Sequence, residues 1–234
     1  IKNHPASYPP DLAKHFIEFF TKNEMWVFDP FMGIGSTIAA AQDLNRNCIG
    51  TELNPIFAEY AQSRVKSADL TLKVHNADCR SAADVFKENN YPVSDFLITS
   101  PPYWNMLETS RGGVESVHKK RKKEGLLQKY SENENDLGNI GDYQTFLETL
   151  VEIFKGFKPI LKADAYLVIV VQNLRSPDGE VITFAWDLAK ELSKHFELKQ
   201  EMIWCQDQKF LGIWGYPSQY VSNVHHHYCL IFKN

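Results

Sequence analysis

Apolar residues along this chain keep two rhythms. Short solid runs alternate with longer stretches in which they return at helical spacing, so the pattern predicts strands and helices in turn. Leu12, Phe16, Phe19 and Phe20 predict a core-facing helix that follows the extended, proline-rich segment from Ile1 to Pro10 and begins with Pro10 or Asp11. Met25-Trp26-Val27-Phe28 reads as a short strand, and Ile38 to Leu44 as a helix behind a glycine turn. Cys48 to Glu52 is a second strand, and Asn54-Pro55 opens a helix through Val65. A third strand, Leu72 to Val74, ends at Asn76-Ala77-Asp78, with Asp78 placed to cap a helix from Ser81 onward. Phe96-Leu97-Ile98 closes a buried fourth strand. Residues 105–138 show little periodicity and are polar, glycine-containing and highly charged. Tyr143, Phe146, Leu147, Leu150, Val151, Phe154 and Phe157 share one face of an amphipathic helix. Tyr166 to Val171 is a buried strand, Val181 to Leu192 a helix and Leu198 to Trp204 a strand. After a loop from Gly212 to Tyr220, His227 to Phe232 makes the seventh strand.

Strands that alternate with helices predict an α/β fold, a doubly wound and mainly parallel sheet with helices on both faces. Ligands of such sheets bind at the carboxyl ends of the strands. Asp29, Glu52, Asp78 and Ser100 each fall at the end of a different strand, so four unrelated stretches converge on one place.

Composition narrows the class. No window has the length and purity of a membrane span, and the first residues show no signal-peptide pattern. Cys48, Cys79, Cys205 and Cys229 are scattered with no CxxC pair, which argues against zinc and a disulfide framework and for a reducing, cytoplasmic setting. A formal net charge of −4 counts against a nucleic-acid binder, yet Lys119-Lys120-Arg121-Lys122-Lys123 is a dense cationic run. His225-His226-His227 resembles a metal cluster only at first sight: alternation on a strand turns His226 away from the other two, so no metal is expected.

The candidate chemistry lies in two stretches. Asp29-Pro30-Phe31-Met32-Gly33-Ile34-Gly35-Ser36-Thr37 joins a strand to a helix, and its glycines let the backbone approach a ligand closely. No Lys-Ser/Thr pair follows, so this is not a triphosphate-binding P-loop. Glu52 lies 17 residues after Gly35, close to the spacing of a carboxylate that holds a ribose diol, and Asp78 can accept from an adenine amine. The second stretch is Thr99-Ser100-Pro101-Pro102-Tyr103-Trp104. Its prolines stop the strand and stiffen a corner that carries a hydroxyl, an exposed carbonyl and two aromatic rings. Such a corner suits a flat heterocycle with an exocyclic amine.

Together with His4-Pro5-Ala6-Ser7-Tyr8-Pro9, Gly215-Tyr216-Pro217 and Tyr228 to Phe232, these blocks resemble the S-adenosylmethionine-dependent DNA amino-methyltransferases, which make N4-methylcytosine or N6-methyladenine. Ile34 and Ser36 depart from the family's usual residues, and there is no room for the large separate recognition domain of many members. The resemblance implies a Rossmann-like sheet of seven strands with one antiparallel edge strand, one methyltransferase domain over 1–234, and 105–138 as an insert for DNA contact and target recognition. It implies S-adenosylmethionine as cofactor, held by Ser7, Tyr8, Asp29, Phe31, Met32, Gly33, Gly35, Thr37, Glu52 and Asp78. Ser100, Pro101, Pro102 and Tyr103 are then catalytic, and Trp104 with Lys119, Lys120, Arg121, Lys122 and Lys123 meets double-stranded DNA. The resemblance admits a cognate restriction nuclease as a second partner. Serine at position 100 leans toward cytosine, because a hydroxyl can also donate to cytosine N3 whereas a carboxylate cannot. Adenine in DNA, a base in RNA, and a cofactor-binding subunit without turnover are the rival expectations. A protein glutamine methyltransferase is disfavoured, since asparagine typically stands where Ser100 does.

Overall fold

A computed structural model describes residues 8–104, 136–176, 179–206, 211–218 and 220–234. Helix α1 (Pro10–Phe20) follows Pro9, so the missing proline N–H falls where a helix has no use for one. Strand β1 (Trp26–Asp29) leads through the glycine turn into α2 (Ser36–Asp43). Then come β2 (Asn47–Glu52), α3 (Pro55–Ser63), β3 (Leu72–Asn76), a 3₁₀ turn (Cys79–Ser81), α4 (Ala82–Glu88) and β4 (Ser94–Thr99). Asn54 caps α3 by accepting the Ile56 N–H at 3.0 Å, with Pro55 in the first turn. After the 3₁₀ turn Leu137–Asn139 come α5 (Tyr143–Gly156), capped by Asp142 onto the Thr145 N–H at 2.7 Å, and β5 (Leu161–Val171). The short β6 (Leu174–Arg175) and β7 (Val181–Ile182) precede α6 (Phe184–Leu192) and β8 (Glu197–Cys205). Last come β9 (Ile213–Trp214), β10 (Val221–Ser222) and β11 (His226–Lys233).

Seven strands form one sheet in the order β3-β2-β1-β4-β5-β11-β8. The pairs among β3, β2, β1, β4 and β5 are parallel, and β11 runs antiparallel to both β5 and β8 at that edge. Side chains alternate across the sheet. In β4, Leu97 joins a core built with α4, α5 and α6, while Phe96 and Ile98 join a second core built with α1, α2 and α3. In β5, Leu167, Ile169 and Val171 face the first core and Val168 and Val170 the second. This is the doubly wound α/β architecture that the alternating pattern predicts.

Three readings of the pattern change. The helix expected over Val181–Leu192 starts at Phe184, because β-branched Val181 and Ile182 pair antiparallel with Arg175 and Leu174. The loop Gly212 to Tyr220 contains a strand, since Ile213 and Trp214 pair with Ser222 and Val221. Phe19 does not face the core: it is 76% exposed, because Ala13, Phe16, Ile17 and Phe20 form the inward stripe and Phe19 lies beyond its border. Among the described residues no helix is long and apolar enough to cross a membrane.

Candidate active site

The strand order reverses between β1 and β4, and a cleft opens at the carboxyl ends of the strands there. Its empty volume, counted out into the solvent at its mouth, is ≈ 950 Å³. One wall is the glycine turn from Pro30 to Ile34, another is Glu52, Leu53 and Asn54 after β2, and Asp78 and Cys79 follow β3. The corner Ser100-Pro101-Pro102-Tyr103 forms the wall after β4.

Beneath the cleft, Asp29 is 1% exposed and is surrounded by donors. Its Oδ1 accepts the Thr99 hydroxyl at 2.6 Å and the Phe31 N–H at 3.0 Å. Its Oδ2 accepts the Tyr8 hydroxyl at 3.1 Å and the Thr37 hydroxyl. Burial pushes the Asp29 carboxyl above the usual range, and the hydroxyls of Thr37 and Thr99 pull the other way. Burial, followed by the charge of Asp29, lifts the Tyr8 phenol well above its ordinary value. This buried knot ties the approach to α1, the end of β1, the start of α2 and the end of β4 together directly under the two candidate motifs.

Gly33 takes φ 53° and Gly35 φ 83°, a region that favours glycine. The turn thereby points the Gly33 N–H at Glu52 Oε2, 2.8 Å away, while the Asn54 N–H meets Oε1 at 2.8 Å. Burial raises the Glu52 carboxyl above its ordinary value, against the lowering effect of those two amides. Asp78 caps the turn after β3 by accepting the Arg80 N–H at 2.9 Å, and it pairs with the Arg80 guanidinium at 2.9 Å. It also lines the cleft, so its capping role leaves it at the cleft wall.

At the corner, Ser100 Oγ lies 3.5 Å from the Tyr103 hydroxyl. The Tyr103 ring is buried, edge-on to Phe184 at 6.1 Å and tilted over His227 at 6.4 Å. Trp104 turns from the cleft: its indole N–H donates to the Ile140 carbonyl at 3.0 Å and its ring meets Tyr143 edge-on at 5.3 Å. His227 packs against Trp204 at 4.8 Å, and His226 meets Tyr228. Among the described residues no three His, Cys, Asp or Glu side chains gather as a metal site.

Of the residues singled out in the sequence, Tyr8, Phe31, Met32, Gly33, Glu52, Asp78 and Ser100 to Tyr103 line the one cleft. Asp29, Gly35 and Thr37 support it from below or behind. Ser7 and Lys119, Lys120, Arg121, Lys122 and Lys123 lie outside the described residues. The cleft also uses Leu53, Phe57, Asp136 and Leu137, which the sequence reading passed over. Leu53 could have been found from its place beside Glu52. Asp136 and Leu137 sit at the end of an aperiodic stretch, where the only signal is a capping aspartate before a turn.

A doubly wound sheet with a glycine turn facing a Ser-Pro-Pro-Tyr corner across its switch point defines a nucleotide-type ligand site of the Rossmann-like class. Residues 1–63 and 94–234 match the family model described as DNA methylase (N6_N4_Mtase), and the chain belongs to that family. Among curated relatives, Type II methyltransferase M.MthZI of Methanothermobacter thermautotrophicus is 38% identical over 76 residues, 32% of this chain and 21% of that protein. Type II methyltransferase M.HindIII of Haemophilus influenzae is 49% identical over 51 residues, 22% of this chain and 16% of that protein. The matched stretches are thus a small part of those relatives. Among solved structures, the magnesium protoporphyrin IX methyltransferase ChlM of Synechocystis PCC 6803 has a TM-score of 0.52 at 10% identity, covering 96% of this chain and 79% of that one. The precorrin 8w decarboxylase of Methanobacterium thermoautotrophicum has a TM-score of 0.53 at 11% identity, covering 97% and 92%. These likenesses speak for the fold.

Proposed function

We propose that the chain is an S-adenosylmethionine-dependent DNA methyltransferase whose target is an exocyclic base amine, with N4 of a flipped cytosine as the preferred substrate. The observation that carries this reading is the single cleft shared by the Gly33–Glu52–Asp78 cradle and the Ser100–Tyr103 corner. The residues suit the cofactor. The cleft is of ligand size, with Phe31, Met32, Leu53 and Phe57 as apolar walls and a half-buried carboxylate, Glu52, fixed by two backbone amides. Glu52 would take the ribose hydroxyls, Asp78 the adenine amine, and Tyr8, Phe31, Met32 and Gly33 the methionine end. Asp29, Gly35 and Thr37 hold that wall in place.

When bound, S-adenosylmethionine supplies an electrophilic methyl group. The chain supplies position. An amine on a base is a weak nucleophile because its lone pair is shared with the ring. Ser100 Oγ and the Pro101 carbonyl each accept a hydrogen bond from one amino N–H, which favours a pyramidal nitrogen with a localised lone pair; once the methyl is on nitrogen, one of those protons leaves to solvent. The two prolines keep those acceptors at a fixed separation, so the gain is one of orientation. Tyr103 forms the aromatic wall for the extruded base, and a base reaches this cleft only once it has left the duplex. The basic run Lys119 to Lys123 would supply salt-dependent contact with phosphates.

The test is methyl transfer from labelled S-adenosylmethionine to duplex DNA, followed by digestion to nucleosides. Labelled N4-methyl-2′-deoxycytidine is the expected product. Labelled N6-methyl-2′-deoxyadenosine would overturn the cytosine preference and keep the class. No transfer to any polynucleotide, with cofactor binding intact, would favour the non-catalytic subunit.

A further inference from the structure

Asp136 is a third carboxylate of the cleft, beside Glu52 and Asp78, with a charge that local structure does not use. Its Oδ1 accepts the Gly138 N–H at 2.9 Å and so starts the 3₁₀ turn Leu137–Asn139. The residue is 6% exposed and lines the cleft beside Leu137. Among the described residues nothing donates to its Oδ2. Capping alone would be served equally by asparagine or serine, which carry no charge.

The charge balance of the cleft points the same way. Its described lining includes the carboxylates of Glu52, Asp78 and Asp136 and no lysine, arginine or histidine. Arg80 answers Asp78 at 2.9 Å. Glu52 and Asp136 remain, each held by backbone amides and, among the described residues, without a cation, and the charge of Asp136 adds to the burial that raises the Glu52 pKa. Two like charges facing one cleft repel each other until a positive charge enters.

We propose that Asp136 is the counter-charge for the cationic end of the methyl donor, whose sulfonium and ammonium groups are both positive. This rests on the reading of the cleft as an S-adenosylmethionine site. Asp136 is thus a binding residue, and its effect belongs to affinity.

The experiment is calorimetric titration of the wild type and Asp136→Asn with S-adenosylmethionine and with S-adenosylhomocysteine, at low and moderate salt. Asparagine can still accept from Gly138, so the melting temperature is expected to hold. Affinity for S-adenosylmethionine is expected to fall about tenfold, less at the higher salt. An undiminished affinity for S-adenosylhomocysteine would place the contact at the sulfonium, and an equal fall would place it at the ammonium; both support the proposal. S-adenosylmethionine affinity within twofold of wild type overturns it. If Asp136→Asn melts early, Asp136→Ser keeps a capping oxygen and is read by the same criteria. A wild type that binds neither ligand would overturn the cofactor reading itself, a result distinct from failure of the Asp136 proposal.

Discussion

Thr99→Val isolates one bond of the buried knot under the cleft. The swap keeps the β-branched shape and removes only the hydroxyl that donates to Asp29 Oδ1 at 2.6 Å. Thr99 is 0% exposed and Asp29 1%, so no water replaces the lost donor without rearrangement. A hydrogen bond to a charged group contributes about 1.5–3 kcal/mol. Burying a methyl in place of a hydroxyl returns roughly 0.8 kcal/mol. The net loss is therefore about 1–2 kcal/mol, a urea midpoint lower by roughly 0.5–1 M for a slope near 2 kcal/mol/M. Tryptophan fluorescence during urea unfolding measures it. The pH dependence has a defined sign. Burial raises the folded-state pKa of Asp29, so this group's own contribution is fully present below its unfolded pKa and is lost as pH rises through the folded value. The Thr99 hydroxyl favours the ionised form and opposes that loss. The gap between wild type and variant should be widest near neutral pH and narrow on acidification, beginning above the ordinary aspartate range. A midpoint within about 0.1 M of wild type at neutral pH would refute the view of Asp29 as an ionised, donor-dependent hub.

Ser100→Ala should leave cofactor affinity by calorimetry unchanged and lower the methyl-transfer rate about 100-fold, the scale of losing one preorganised polar contact to the reacting centre. Glu52→Gln should weaken cofactor binding about tenfold, because an amide carries no charge and must present its N–H₂ to one of the two backbone donors. In the wild type, affinity should fall on acidification through a Glu52 pKa that burial holds above the ordinary carboxylate value, since ribose hydroxyls favour the ionised form; Glu52→Gln should flatten that profile. Gly35→Ala should cost about 3 kcal/mol in thermal or urea unfolding, because φ is +83° and the new Cβ would lie 2.9 Å from Ala61 Cβ and 3.0 Å from its Cα.

The parts legible in the sequence are those where one residue type answers one local demand. Solid apolar runs mark β1, β2, β4, β5 and β11, because strands buried on both faces need them. Glu52, Asp78 and Ser100 at the cleft, and Asp29 beneath it, were legible as a group because topology alone brings strand ends together. The misread places depend on tertiary partners. Val181 and Ile182 continue the helical pattern of α6, and only pairing with β6 draws them into a ladder. Trp104 reads as part of an aromatic platform until the Ile140 carbonyl and Tyr143 claim its ring. Asp136 gives no sign in sequence of reaching a cleft formed mainly by residues far earlier in the chain.

The placing of β11 between β5 and β8 governs the order in which the sheet can assemble. Among the described residues β8 pairs with no sheet strand but β11, and β11 follows it in sequence. During synthesis β8 must therefore wait, unpaired, for a segment made later, while β1 to β5 can already associate. Closure of that side is a late, long-range event, of the kind that slows folding. Until it occurs, the edge of β5 that pairs with Tyr228 to Lys233 keeps its backbone groups open to solvent or to chaperones.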